Sequence, residues 1–409
     1  MSKLTGPPAD VDDTLLASLL DEAQLLPLEG LPDLVRKYAA AAGFREVTLF
    51  LADLEERQLA PMPTRDAAAA PTVSVDDTTA GRAFRALETV RTGTTGTSSE
   101  GDGRVFVPLL VGAERVGVLA ATVKAFEEHA ARRLERLASL VALFVVAKRP
   151  HSDTAAWLQR TRTMTVAAEL QRRLLPPLTL GTSDLIVAGA LEPAYQVGGD
   201  VFDYALSGDT AYLALFDSMG HDLSSGLAAS VAVASWRRSR RLALTLPEAA
   251  AEIDTALIHQ FQRQRFVTGV LATLNVRTGQ LQRILRGHPP PLLLRGQQWA
   301  SSPQAQPDPP MGHGLPTHGH TAQQRLQPGD RVLLHSDGVV DARSPDGEIF
   351  GLQRFTDFVL AQEAAQLAAP ETLRRLMHAI LDHHQGRLQD DSTVLLAEWR
   401  PSRWSEASL

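Results

Sequence analysis

The chain contains no cysteine. It therefore has no disulfide, no thiolate nucleophile and no zinc site of the cysteine type, so that any metal chemistry must use Asp, Glu and His. An excess of basic residues is also missing, because 47 acidic side chains against 40 basic ones leave a net charge of −7. Nucleic-acid phosphates need a basic surface, and this charge balance argues against a nucleic-acid partner.

Long apolar runs are absent too. The longest, Leu140–Ala147, is far shorter than the roughly 20 residues of a membrane-spanning helix. The start of the chain carries Asp10, Asp12 and Asp13 instead of a basic segment before an apolar one, which does not fit a signal peptide. We therefore expect a cytoplasmic protein without a membrane partner. With 44% hydrophobic residues over 409 positions, the composition predicts a globular protein of two domains.

Four short acidic signatures, each at the end of an apolar run, carry most of the chemical information. They are Gly198-Gly199-Asp200 with Asp203, Asp217-Ser218-Met219-Gly220-His221, Ser336-Asp337-Gly338, and Asp390-Asp391-Ser392-Thr393. A carboxylate after a strand-like run projects from the end of a sheet into a loop. Carboxylates that the fold brings together repel one another, and a divalent cation relieves this repulsion. Hard oxygen ligands favour magnesium or manganese, so the pattern predicts a metal-dependent hydrolase that acts on a phosphate.

Each of these aspartates also has a simpler interpretation, because Asp is common in turns. Asp217 and Asp337 each end an apolar strand, and Asp200 follows two glycines, so that a turn explains any one of them alone. Four such sites spread over nearly half the chain favour one shared site over independent turns.

Before about residue 150, the apolar pattern predicts a small domain of helices and strands. We expect helices over 11–26 and 31–42, a strand over 47–51, a helix over 80–88, strands over 105–111 and 115–123, and a closing helix through 134–144. With the segments Phe106-Val107-Pro108-Leu109 and Gly117-Val118-Leu119, this order resembles a GAF sensory domain over residues 13–148. A small antiparallel α/β domain of another type is the alternative.

The next segment, Ala155–Leu175, has two apolar stripes at helical spacing and stops at Pro176-Pro177, which predicts one helix. Such a helix either pairs with its copy in a homodimer or packs on its own domain. Further along, strand patterns fall at 185–191, 211–216, 266–275, 280–285, 291–295, 331–335 and 393–399, and helical patterns at 223–243, 247–264 and 371–384. These separated runs predict an α+β fold with antiparallel sheets and helices outside.

Residues 155–399 resemble the SpoIIE-type bacterial serine/threonine phosphatases, relatives of protein phosphatase 2C, because eight signatures occur in the family's order. They are Glu169-Leu170-Gln171 through Leu174-Leu175-Pro176, Gly198-Gly199-Asp200-Val201-Phe202-Asp203, Asp217-Ser218-Met219-Gly220-His221, Gly287-His288-Pro289-Pro290-Pro291, Met311-Gly312, Ser336-Asp337-Gly338-Val339, Phe350-Gly351 and Asp390-Asp391-Ser392-Thr393. The resemblance implies an antiparallel β-sandwich flanked by helices. The whole chain then divides into a disordered lead (1–12), a GAF-like sensor (13–148), a linker or switch helix (149–180), a phosphatase domain (181–400) and a tail (401–409).

The family's roles, carried over residue by residue, imply a site for two divalent cations, manganese or magnesium. Asp217 would bridge the two, and the backbone carbonyl of Ser218 would be a further ligand. Asp337 and Asp390 would complete the first metal's protein ligands, and Asp200 would serve the second. Two cations that share a water lower its pKa, so that it attacks phosphorus without a protein nucleophile.

Four residues beside these ligands have open roles. Asp391 is either a ligand or a partner of the ligands, and Asp203 is expected to organise hydrogen bonds near the site. His221 acts in proton transfer or caps the helix that follows. Asp222 stands where the family has glycine, and it either adjusts metal affinity or caps the same helix.

The resemblance implies a signalling phosphatase that removes phosphate from a phosphorylated protein, often an anti-sigma-factor antagonist. A small molecule or a partner protein that binds the GAF-like domain would regulate it through the linker helix. The alternative is an inactive pseudophosphatase that signals by binding a partner, although every carboxylate that matches a family ligand is present. A two-metal nuclease or phosphodiesterase is a further alternative, which would need a basic groove.

Overall fold

The computed structural model describes residues 11–65, 70–93, 103–124, 128–192, 195, 198–220, 222–301, 303, 307–385 and 390–401. The chain divides into two compact units, Met1–Arg162 and Thr163–Leu409. Among the described helices, none combines the length and the apolar content that a bilayer-spanning segment needs. His221 lies outside the described residues, so its predicted role stays a prediction.

The first unit combines one antiparallel sheet with helices. Its helices are α1 (Val11–Gln24), α2 (Leu31–Ala41), α3 (Thr79–Ala86), α4 (Glu128–Lys148) and α5 (Asp153–Gln159). Its strands are β1 (Arg45–Ala52), β2 (Gln58–Pro61), β3 (Val73–Ser74), β4 (Val90–Thr92), β5 (Gly103–Val111) and β6 (Glu114–Val123), in the spatial order β3-β2-β1-β6-β5-β4. The helices and strands expected here from the apolar pattern are confirmed, whereas β2, β3 and β4 were not expected.

Both faces of this sheet are buried against helices, and the side chains of each strand alternate between the two faces. On β5, Val105, Val107 and Leu109 join the core that includes residues of α1, α2 and α4. Phe106 points to the other face and joins a separate core with Phe84 of α3. The nearly continuous apolar sequence of β5 is the consequence of this double burial.

The single helix predicted over 155–175 is wrong, because two helices replace it. The first, α5, ends at Gln159, and Arg160 has extended backbone angles of φ −104° and ψ 125°. The second, α6 (Val166–Leu174), begins after Thr165, whose hydroxyl accepts a hydrogen bond from the Ala168 N–H at 3.2 Å. Residues 160–165 include three threonines, and β-branched residues favour an extended chain or a cap over a helix interior.

The second unit contains two further antiparallel sheets and the remaining helices. The strands are β7 (Thr179–Gly181), β8 (Leu185–Glu192), β9 (Asp200–Ser207), β10 (Thr210–Ser218), β11 (Val267–Asn275), β12 (Gln280–Arg286), β13 (Leu292–Arg295), β14 (Gln298–Ala300), β15 (Ala322–Arg325), β16 (Arg331–His335) and β17 (Ser392–Trp399). The helices after α6 are α7 (Leu223–Arg241), α8 (Leu246–Phe261), α9 (Asp337–Val340), α10 (Gly351–Ala364) and α11 (Ala369–His383). One sheet has the order β15-β12-β11-β10-β9, and the other has the order β14-β13-β16-β17-β8-β7.

These two sheets pack face to face, and helices cover their outer faces. The core between the sheets includes Leu213 and Leu215 of β10 and Leu395 of β17. Residues of α7 and α8 pack on the first sheet around Phe216, and residues of α10 and α11 pack on the second sheet. The predicted α+β class, with an antiparallel β-sandwich flanked by helices, is confirmed.

Six of the described elements of this unit were not expected from the sequence: the strands β7, β9, β14 and β15 and the helices α9 and α10. Helix α10 was not expected, and β9 was not expected as a strand because its sequence Asp-Val-Phe-Asp-Tyr-Ala-Leu-Ser carries two acidic residues. Both aspartates of β9 are buried, Asp200 being 2% exposed and Asp203 1% exposed. The strand thus begins at the predicted metal ligand instead of ending before it.

Candidate functional site

Asp200 and Asp217 lie directly opposite each other at one end of the β9–β10 pair. The backbone N–H and C=O of Asp200 form hydrogen bonds with Asp391 and Gln171 and not with β10. Asp200 and Asp217 are therefore a non-hydrogen-bonded pair, the type in which the two opposite Cα atoms are about 4.5 Å apart. Opposite residues of an antiparallel pair carry their side chains on the same face of the sheet. The register alone therefore brings these two carboxylates together.

The other predicted ligands come from the second sheet. β16 ends at His335 and β17 begins at Ser392. Because the two strands are antiparallel, Asp337 and Asp390 lie beyond the same end of this strand pair. Gly338 packs on the backbone of this edge, since a Cβ there would lie 1.9 Å from the carbonyl oxygen of Asp391.

Asp391 joins the two sheets. Its Oδ2 accepts a hydrogen bond from the backbone N–H of Asp200 at 3.0 Å. A Cβ at Gly198 would lie only 1.3 Å from the same oxygen, so that this approach requires glycine. The Oγ of Ser336, the residue before Asp337, donates a hydrogen bond to the backbone carbonyl oxygen of Asp391 at 3.2 Å. Its carboxylate thus holds the backbone next to a predicted ligand.

Gly199, the second glycine of the Gly-Gly-Asp signature, also allows a close approach that a side chain would block. The Ser218 N–H donates to the Gly199 carbonyl oxygen at 3.1 Å, and a Cβ at Gly199 would lie 2.0 Å from the Ser218 carbonyl oxygen. That carbonyl oxygen is the backbone ligand implied by the family resemblance. The Ser218 hydroxyl turns away and donates to the Ser225 carbonyl oxygen at 2.8 Å.

The carboxylates of this region repel one another. Burial, together with the charges of Asp337, Asp390 and Asp391, raises the pKa of Asp217 to about 7. Burial and the charges of Asp217 and Asp391 raise the pKa of Asp200 well above its usual range, which the nearby hydroxyls of Ser336 and Thr393 offset only in part. The pKa of Asp337 is raised by burial and by Asp390. These mutual effects show that the acidic signatures form one electrostatic cluster.

This cluster has the chemistry of a divalent-cation site. Its oxygens are hard ligands, its carboxylates raise one another's pKa, and Oδ2 of Asp200 has no hydrogen-bond partner in the described part of the chain. Within the same described residues, no three Asp, Glu or His side chains are already arranged closely as a ligand group. These residues fit a bound cation by oxygen type and charge, whereas their spacing is not that of a formed ligand group.

Asp203 lies on the opposite face of β9 from Asp200, because it is three residues further along the strand. Its Oδ1 accepts hydrogen bonds from Nε and Nη2 of Arg237, at 2.9 and 2.7 Å, and its Oδ2 forms an ion pair with Arg240 at 2.8 Å. Burial raises the pKa of Asp203 despite these two arginines of α7. Asp203 fastens α7 to β9, behind the acidic cluster.

Asp222 caps helix α7. Its Oδ1 accepts a hydrogen bond from the Ser225 N–H at 2.8 Å, and this bond is the main reason that the pKa of Asp222 is lowered. Its Oδ2 pairs with Nη2 of Arg265, whose Nη1 donates to the Met219 carbonyl oxygen at 3.2 Å. Of the two roles left open by the sequence, the structure shows the cap.

Three residues that contact the backbone or side chains around this region were not predicted as site residues. Gln171 of α6 bonds to the backbone of Gly198 and Asp200. His288 links the sheets, with Nδ1 at 3.0 Å from Oγ1 of Thr268 and Nε2 at 3.1 Å from the His335 carbonyl oxygen. Arg265 has no periodic or compositional signal. Gln171 and His288 belong to family signatures, which was the one signal available for them.

Comparison with known proteins shows which family this region resembles. Residues 207–400 match the family model described as Stage II sporulation protein E (SpoIIE). The chain is 24% identical over 264 residues to Protein IcfG of a Synechocystis species, which covers 57% of this chain and 40% of that protein. It is 20% identical over 231 residues to Phosphoserine phosphatase RsbU of Bacillus subtilis, which covers 56% of this chain and 68% of that protein. The chain thus spans well under half the length of the first of these relatives.

Among solved structures, the SiaA-PP2C domain of Pseudomonas aeruginosa aligns with 19% sequence identity and a TM-score of 0.48. The alignment covers 62% of this chain and 99% of that domain. The family match covers β10 to β17 with Asp217, Asp337 and Asp390, and the sandwich with its outer helices is already described above. The comparison therefore shows similarity to the SpoIIE family over residues 207–400, which make up just under half of the chain.

Proposed function

We propose that the chain is a metal-dependent protein serine/threonine phosphatase that acts in signalling. The observation that carries this proposal is the convergence of Asp200 and Asp217 of one sheet with Asp337, Asp390 and Asp391 of the other. Asp200 and Asp391 are buried and Asp217 is half-buried, so that these negative charges beside one another cost stability unless a cation neutralises them.

Manganese or magnesium ions would be held by the carboxylates of Asp200, Asp217, Asp337 and Asp390 and by the Ser218 carbonyl oxygen. When bound, a pair of such ions lowers the pKa of a water and neutralises charge on phosphoryl oxygens. The protein holds the ligand oxygens in place, and the bound cations would keep the carboxylates ionised. Asp391 holds the Asp200 backbone, and Gly199 lets the Ser218 carbonyl oxygen approach.

The substrate class rests on the relatives. Because one relative is named a phosphoserine phosphatase, we propose a phosphoserine or phosphothreonine side chain of a regulator protein as substrate. An anti-sigma-factor antagonist is the regulator that the family resemblance implies. The acidic surface of the chain, with its net charge of −7, gives no support to a nuclease.

The first unit is proposed to be the GAF-like sensor, which a small molecule or a protein would bind. A chain that begins at Thr163 tests this role, because α5 belongs to the first unit and α6 to the second. Its turnover should differ from that of the full chain by several-fold. Equal turnover, with and without the first unit, would count against regulation by that unit.

A homodimer through the linker segment is proposed as well. Val166 and Leu170, one helical turn apart on α6, are 78% and 50% exposed, so that one face of this helix is apolar and open. Analytical ultracentrifugation of the wild type and of Val166→Glu checks this, with a shift to monomer expected in the variant. A monomeric wild type would contradict it.

The decisive experiment for the activity is hydrolysis of p-nitrophenyl phosphate with manganese, with magnesium and with EDTA. The wild type should turn over only with a metal, and Asp217→Asn and Asp337→Asn should each lose roughly 100-fold or more, as expected when a bridging or direct ligand is removed. Asp209→Asn is the matched control, because Asp209 lies in the turn at the far end of the same β9–β10 hairpin and is 55% exposed. Turnover that is unaffected by EDTA or by both ligand variants would exclude this function.

The second candidate is a pseudophosphatase that binds a partner protein. It would show no metal-dependent turnover but would retain binding to a phosphorylated regulator. The complete set of acidic residues favours the enzyme, because a binding module has no need for carboxylates that repel one another.

A further inference from the structure

Gln171 has an unusual place for a polar side chain. It projects from α6, is only 5% exposed, and reaches the first residues of β9. Its Nε2 donates to the Asp200 carbonyl oxygen and, at 3.4 Å, to the Gly198 carbonyl oxygen. Its Oε1 accepts from the Gly198 N–H at 3.5 Å. One amide group thus serves three backbone groups of the Gly-Gly-Asp segment.

The reason for this contact lies in the sheet. β9 is the outer strand of its sheet, and the backbone of Asp200 faces away from β10. At this edge no further strand satisfies the N–H and C=O of Asp200, and buried backbone groups without partners are costly. The carboxylate of Asp391 takes the N–H and the amide of Gln171 takes the C=O. Two side chains therefore replace a neighbouring strand.

The same helix is held at a second point. Nη2 of Arg237 donates to the carbonyl oxygen of Leu174, the last residue of α6, and both Nη2 and Nε donate to Oδ1 of Asp203 in β9. Helix α6 is therefore connected to β9 on both sides of Val201 and Phe202. Both connections use backbone carbonyl groups, so that displacement of α6 would free them together.

We propose that Gln171 is a positioning residue for the metal centre: it fixes the backbone of Gly198–Asp200, so that the Asp200 carboxylate faces Asp217. This inference rests on the proposed function. It assigns to α6 a direct part in forming the site, whereas the sequence marked this helix as a linker. When α6 is out of place, Asp200 loses the partner of its carbonyl group, and the cation loses a preformed ligand.

The test measures manganese affinity of the full chain by isothermal titration and by electron paramagnetic resonance of Mn²⁺. Gln171→Met keeps the length of the side chain and removes its amide, and Gln171→Asn keeps the amide but draws it back by one methylene. Both variants should bind Mn²⁺ roughly 10–100-fold more weakly than the wild type, as found when groups that orient metal ligands are removed. Saturating manganese should restore much of the turnover, because no metal ligand is missing.

Tyr204→Phe is the matched control. Tyr204 lies on the same strand, four residues beyond Asp200, and its hydroxyl donates to the carbonyl oxygen of Pro177, just after α6. This variant should lower the melting temperature of the metal-free protein and leave manganese affinity within about twofold, because loss of one hydrogen bond costs stability alone.

The outcomes separate the inference from the proposed function. If Asp217→Asn abolishes manganese binding while both Gln171 variants bind like the wild type, the metal centre stands and the positioning role is overturned. Failure of a Gln171 variant to fold would equally make Gln171 a general structural residue. If the wild type and Asp217→Asn bind manganese equally, the proposed function fails, and the inference fails with it.

Discussion

The carboxylate of Asp222 makes two contacts at once: Oδ1 caps helix α7, and Oδ2 lies 3.0 Å from Nη2 of Arg265. The residue follows the Asp217–His221 signature directly, where the family pattern has glycine. Because Asp222 is 58% exposed, its ion pair with Arg265 contributes little to stability. The cap is the larger contribution, and it fixes the first turn of the helix that follows the proposed metal ligands Asp217 and Ser218.

Substitution of Asp222 should therefore change stability more than metal binding. Asp222→Ala should lower the free energy of unfolding by about 1 kcal/mol, whereas Asp222→Asn, which can still cap, and Asp222→Gly should lose only a few tenths. Urea unfolding checks the order of the three variants. A change of manganese affinity beyond about tenfold in Asp222→Asn would instead make Asp222 part of the electrostatics of the metal site.

The acidic cluster should destabilise the metal-free protein at neutral pH. Because the pKa of Asp217 rises from its usual 3.8 to about 7, the folded state binds more protons than the unfolded state between these values. The stability of the metal-free protein should therefore fall as pH rises from about 4 to about 7, by roughly 4 kcal/mol at most from this group. Urea unfolding in EDTA across this range measures the slope.

The raised pKa of Asp217 also predicts the effect of Asp217→Asn. It should raise the stability of the metal-free protein at pH 7.5 by roughly 1–3 kcal/mol, because it removes a buried charge among like charges. It should also abolish the rise in melting temperature that manganese gives the wild type. The Asp209→Asn variant is the control, with unchanged stability expected. A destabilised Asp217→Asn protein would show that the carboxylate has a favourable partner.

His288 should make the protein sensitive to acid. Burial and the neighbouring His335 lower the pKa of His288 to about 3, so that the folded state holds the ring neutral between the two sheets. The contribution of neutral His288 to the free energy of unfolding is fully present above the unfolded-state pKa of about 6.5. It is lost as pH falls towards 3, by roughly 5 kcal/mol at most. His288→Gln should flatten this part of the stability profile relative to the wild type. Equal profiles from pH 7 to pH 4 would contradict the buried neutral state.

Asp203→Asn tests the attachment of α7. The substitution leaves Arg237 and Arg240 without their shared carboxylate, and breaking a buried ion pair in this way costs about 3 kcal/mol. The loss should appear as a lower urea midpoint, both with and without manganese. Arg238→Gln is the control, because Arg238 pairs with Glu252 at an exposed position on the same helix. A loss of stability seen only with manganese would place Asp203 in the metal site instead.

Much of the fold follows from local patterns. The short apolar runs in segments such as 211–216 and 393–399 predicted strands that the structure contains, and the helices α7, α8 and α11 follow from the period of 3.6. Strand β9 was missed because its two aspartates break the apolar pattern. The helix over 155–175 was predicted in one piece because the apolar stripes run through residues 160–165, where threonines favour a cap.

The candidate site, like the fold, could be predicted from the sequence only in part. The sequence by itself determined which oxygens are available, the absence of a cysteine nucleophile, and the acidic signatures beside apolar runs. Only the tertiary structure decided that Asp200 faces Asp217 across a strand pair, that Asp391 bonds to Asp200 over 191 residues of chain, and that Gln171 completes the edge of β9. The physical reason is range: the periodicity of apolar residues encodes contacts within one element, whereas the meeting of two sheets depends on how their cores pack.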